Sequence, residues 1–256
     1  MNKVQLNLGR RASRSLKAFT LAEVLITLAI IGVVAALTIP SVVTNYQNQE
    51  RIAALKKTYS ALANTTNLAI SEHGAIETWE VATRLEGAVN FVDKYMIPYL
   101  KIQKKCGIDR AGICALKNYS YLNESTPGHG SERATNFVLA DGTVVVSSTY
   151  YAEPHKRVYL WVDVNGSKGP NVLGKDIFDF SYFIAGYGIQ NGKLLPPGIN
   201  RTMNQIIAES SSGCNKNASG EFCGALIIRN GWKIPNKDEY VKMAGGNEEY
   251  RALYPW

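Results

Sequence analysis

Histidine is scarce. His73, His129 and His155 are the only three in 256 residues. They stand far apart, so no two share a helix face as metal ligands. The chain has no P-loop, no G-x-G-x-x-G fingerprint and no G-x-S-x-G elbow; GHGSE (128–132) resembles the last only superficially. Nothing nominates a catalytic residue, and the expectation is a protein that is not an enzyme. Acidic residues are missing from the N-terminus: none precedes Phe19, whereas Lys3, Arg10, Arg11, Arg14 and Lys17 all do. The formal charge of +7 falls to +2 when those five cations are set aside. The rest of the chain therefore lacks the basic excess of a nucleic-acid-binding face, and no nucleic acid partner is inferred.

Charge disappears altogether from Val24 to Val43, twenty residues in a row. That is the length a helix needs to cross a hydrocarbon core. A basic segment followed by an apolar run allows three readings: a cleaved secretory signal, a twin-arginine signal built on Arg10-Arg11, or an anchor retained after a cut before the apolar run. The first leaves the carboxylate of Glu23 unexplained at the head of an oily segment, where a charge is costly. The second lacks apolar residues directly after the arginines.

The third has a specific counterpart. KAFTLAE (17–23) resembles the processing site of type IV pilins and type II secretion pseudopilins. The resemblance implies cleavage between Ala18 and Phe19 by a prepilin peptidase and N-methylation of Phe19. It makes Glu23 the fifth mature residue, Gly32 the fourteenth and Pro40 the twenty-second, all three assembly positions of that family. The family usually has glycine where Ala18 stands. The resemblance further implies other pilin or pseudopilin subunits as partners, inner-membrane assembly machinery, and a bilayer location before assembly. In a filament, Glu23 would pair with the N-terminal amine of a neighbouring subunit. The rival reading is a membrane-anchored exported binding protein that never polymerises. The leader cations hold the N-terminus in the cytoplasm of a single-pass protein, which puts everything beyond Pro40 outside.

The implied organisation is a leader (1–18), a long helix (19–72) with a transmembrane half (19–43), and an exported α+β domain (73–256). After Pro40, which is expected to kink or open the helix, Ile52, Leu55, Tyr59, Leu62, Thr66 and Ile70 recur at helical spacing. They give the helix one packing face. A continuous helix from Phe19 to Glu72 would be roughly 80 Å long, ending at His73-Gly74. Residues 76–105 read as more helix, broken at Pro98, and Asn118–Glu132 as loop. Two β-prone runs flank Asp141-Gly142 as a type I′ hairpin. Strands are expected over 157–166 and 176–185, the latter with Phe178, Phe180 and Tyr182 on one buried face. A pilin-like helix packed on an antiparallel sheet accommodates all of these.

Four cysteines fall into two close pairs without C-x₂-C spacing. In an exported body they read as local disulfides, Cys106–Cys114 and Cys214–Cys223, each stabilising by ~2–3 kcal/mol; in a cytosolic protein they would be buried thiols. The loop VDVNGSKGPNVLGKDIFDF (162–180) offers Asp163, Asn165, Asn171 and Asp176 as oxygen ligands. Calcium is the candidate occupant, and turns built on these side chains are the plainer alternative. No other cofactor is expected.

Overall fold

A computed structural model describes residues 19–82, 85–108, 114, 119–126, 135–152, 154–166 and 168–256. The leader with Ala18, most of the Cys106–Cys114 loop and residues 127–134 lie outside the described residues. The chain divides into two compact units, 1–45 and 46–256.

Helix α1 spans Leu21–His73 and belongs to both units. In the first unit its apolar side chains have nothing over them: Leu37 is 75% exposed and Ile31 63%. The helix runs unbroken through Gly32 and Pro40, so of the kink or opening expected at the proline, the opening is absent. In the second unit the predicted stripe is buried. Ile52, Leu55, Leu62, Thr66 and Ala69 are nearly inaccessible, with Tyr59 and Ile70 packed beside them. Gly74, at φ +80°, closes the helix, and its N–H donates to Ile70 O at 3.0 Å.

A short helix α2 (Leu85–Tyr95) follows. Six strands then run in chain order as one antiparallel sheet: β1 Ile102–Ile108, β2 Thr135–Leu139, β3 Val144–Ala152, β4 His155–Asp163, β5 Ile177–Ala185 and β6 Leu194–Leu195. Residues 102–105 are thus strand, not the predicted continuation of helix. Pairing of Ile102 with Leu139 and Lys105 with Phe137 decides this, since strand formation follows cross-strand packing more than local preference. The β2–β3 turn also differs from expectation. Type I′ needs positive φ at both central residues. Only Gly142 has it, and its N–H donates to Leu139 O at 2.9 Å.

One face of the sheet carries Val145, Val158, Leu160, Phe178, Phe180 and Tyr182 into a common core with Leu55, Leu62 and α2. Tyr59 links the layers: its ring lies 5.5 Å from that of Phe180, and its hydroxyl donates to Leu194 O at 3.0 Å. The Tyr182 hydroxyl donates to Leu62 O. The opposite face is covered too, by Tyr119, Tyr121 and Leu173 over Val146, Trp161 and Ile177. Strand β5 is therefore buried on both sides along most of its length, where one buried face was expected. Three short helices, α3 Met203–Ala208, α4 Cys223–Arg229 and α5 Lys237–Met243, build a second core around Ile206, Leu226 and Tyr240.

Leu62 is fully buried and Leu68 half exposed. Urea unfolding followed by tryptophan fluorescence is expected to show a loss of about 3 kcal/mol for Leu62→Ala and under about 0.5 kcal/mol for Leu68→Ala.

Candidate functional site

Helix α1 begins in a closed set of local hydrogen bonds. The Thr20 N–H and hydroxyl both donate to Glu23 Oε2 at 2.9 Å, and the Glu23 N–H donates to Thr20 Oγ1 at 3.2 Å. This is a capping box, T-x-x-E, which satisfies two of the orphan amides at a helix start. The signal was present in the sequence as Thr20-Leu21-Ala22-Glu23. It holds the carboxylate locally, and it leaves Glu23 one turn from Phe19, which is 84% exposed. Gly32 and Pro40 lie farther along the same helix, and beyond its own helical turn nothing among the described residues lies within 4 Å of where a Gly32 Cβ would be.

Both cysteine pairs are bonded, Cys106 to Cys114 and Cys214 to Cys223. The first ties the end of β1 to the segment beyond it. The second closes the loop ahead of α4, where Tyr240 donates to Cys214 O at 2.6 Å.

The four residues of the 162–180 loop do come together, and the two aspartates hold backbone amides of the turn. Asp163 Oδ1 accepts the N–H groups of Asn165 and Gly166 at 3.1 and 2.9 Å. Asp176 accepts those of Asn171 and Val172 at 2.8 and 2.7 Å, one on each oxygen. Asn165 Nδ2 donates to Gly169 O at 3.2 Å, and Asn171 sits at φ +56°. Calcium needs six to eight oxygens. Among the described residues no three acidic, histidine or cysteine side chains gather, and three of the four carboxylate oxygens already hold amides. As it stands, this donor set staples a turn.

Sequence reading missed the buried acid of β5. Asp179 is 8% exposed and stands opposite Trp161 in the sheet. Its polar character was visible in the alternation of β5; the cover over its face was not. Burial, reinforced by the charge of Glu221, pushes its pKa up to about 8. Burial also raises Asp163 to about 7, against the amides that favour its charged form. Both groups hold a proton more tightly folded than unfolded, where an aspartate titrates near 3.9. Their contribution to stability is therefore complete below about pH 4 and is lost as pH rises through 7 and 8. Melting temperature is expected to climb as pH falls from 9 to 6. Asp179→Asn is expected to melt higher than wild type at pH 9 and to show a shallower slope; an equal slope in both would contradict the assignment.

Of the helices among the described residues, α1 alone is long and apolar enough to cross a membrane, and none of its apolar window is buried. A prokaryotic N-terminal methylation motif matches residues 14–39, covering the basic segment, Phe19, Glu23 and most of the apolar run. No curated protein and no solved structure matches the chain. A second family model, described as a family of unknown function, DUF6613, matches residues 41–242, nearly all of the sheet-bearing unit. With about four-fifths of its length inside that match, the chain belongs to the DUF6613 family, behind a methylation-type N-terminus.

Proposed function

We propose that the protein is a structural subunit of a type IV pilus or a type II secretion pseudopilus. It is made as a prepilin, cleaved between Ala18 and Phe19, N-methylated on Phe19, and held in the bacterial inner membrane by residues 19–43. It then joins other pilin or pseudopilin subunits through that helix, in a filament at the cell surface or in the periplasm. The reading assigns the chain no catalysis.

The observation that carries the proposal is the pairing of a fully exposed apolar helix with a carboxylate at its head. A helix that served only as an anchor gains from Glu23 no more than its cap, against about 3 kcal/mol for a charge within hydrocarbon. Before assembly the Thr20 cap and the headgroup layer accommodate it. In a filament the carboxylate exchanges the Thr20 N–H for the methylated amine of a neighbour's Phe19. A buried carboxylate left without such a partner is expensive, so the exchange sets the register between subunits.

Glu23→Val tests this. Cells carrying it are expected to keep folded, disulfide-bonded protein in the membrane and to lose it from the sheared filament fraction. Normal filament yield would overturn assembly through Glu23 and favour the anchored, non-polymerising binding protein.

A further inference from the structure

A cleft of about 340 Å³ opens between α1, the β2–β3 turn and the loop after β4. Lys57 pairs with Asp141 at 2.8 Å on its wall, which cancels two of its charges. Three remain. Arg51 and Lys168 line the cleft, as does Glu50, and none of them is in an ion pair among the described residues. Arg51 is steadied by Asn48 Oδ1 at 3.3 Å. Asn165 contributes one more feature. Its amide nitrogen is committed to Gly169 O, while its Oδ1 is buried without a hydrogen bond. The cleft thus holds two uncommitted cations, one uncommitted carboxylate and one acceptor in want of a donor.

That set complements a small ligand carrying an anionic oxygen cluster and an N–H-bearing cation together. Phosphate oxygens suit Arg51 and Lys168; an ammonium suits Glu50 and Asn165 Oδ1. The volume is at the low end for ligand sites, about 300–1,000 Å³, enough for a polar head without chains. Position in the sequence points to the source. The charge-free run ends at Val43, and the first cleft residue, Gln47, comes four residues later, where a membrane-inserted chain meets the headgroup layer.

We propose that this cleft binds the phosphoethanolamine head of a membrane lipid. The proposal rests on the membrane-inserted reading above. It discriminates among lipids for stated reasons. A choline head has no N–H to give Asn165 Oδ1, and a glycerol head has no cation to set against Glu50. Bound this way, the lipid would hold the subunit at the membrane surface before assembly.

The test uses full-length, unprocessed protein in micelles containing equal parts phosphatidylethanolamine, phosphatidylcholine and phosphatidylglycerol, with bound lipid read by native mass spectrometry. Phosphatidylethanolamine is expected to be retained over both others by on the order of tenfold. Glu50→Ala is expected to abolish that preference, Arg51→Gln with Lys168→Gln to lower retention of all three lipids, and soluble glycerophosphoethanolamine to displace the lipid. Equal retention of the three, preference for phosphatidylglycerol, a preference unchanged in Glu50→Ala, or retention unchanged in the double variant would overturn the proposal. Binding of glycerophosphoethanolamine without retention of the lipid would reassign the cleft to a free metabolite and overturn the lipid assignment. No filament is needed for this readout, so its failure is separable from failure of assembly through Glu23.

Discussion

Helix α1 meets two surroundings with one backbone geometry, and the rest of the structure follows from that constraint. From Tyr46 onward a single stripe, Ile52 to Ile70, is closed by the aromatic face of β5 and by its neighbours in the sheet. Before Asn45 the same helical period presents apolar side chains in every direction and buries none of them. A helix that is apolar all round needs hydrocarbon or other helices around it. The core described in the sheet-bearing unit covers the later part, and the apolar side chains of the earlier part stay exposed. The capping box of Thr20 and Glu23 satisfies the carboxylate locally while leaving it next to the exposed Phe19.

The sheet-bearing unit solves a different problem, that of covering a sheet on both sides. Helices α1 and α2 take one face. The segment around Tyr119–Leu122 and the stapled loop before β5 take part of the other, joined by backbone bonds such as Ser120 N–H to Asn171 O at 3.0 Å and Leu122 N–H to Ser219 O at 3.1 Å. The Cys214–Cys223 bridge fixes the loop that supplies Ser219. Polar side chains caught beneath this cover, Asp179 and Asp163 among them, lose water and gain protons. The stability of the unit is therefore tied to pH through its outer face.

Much of the architecture was legible because it obeys simple periods. The α1 stripe repeats every three to four residues, Phe178, Phe180 and Tyr182 alternate, and Gly74 ends the helix where a left-handed residue is wanted. What was not legible depends on contacts distant in sequence. KIQKKC (101–106) contains nothing that forbids helix, and only β2 makes it a strand. The turn at Gly142 is set by the register of β2 on β3. The short helices α3 and α5 carried readable starts, the capping boxes Thr202 with Gln205 and Asn236 with Glu239, but they lack the length that makes a periodic pattern stand out. At the N-terminus the position of Glu23 was plain from sequence, and its partner Thr20 was readable there as well. For the 162–180 loop the spacing of the oxygens was legible, and the amides that Asp163 and Asp176 accept were not.

The central claim is that the chain keeps its apolar helix and begins at Phe19. The N-terminal mass of the protein, taken from native membranes and from the sheared surface fraction, tests it most directly. The account predicts a mature chain that starts at N-methylated Phe19 in both fractions. A chain that starts after the apolar run would contradict it, since that protein would have neither the helix nor Glu23 with which to assemble.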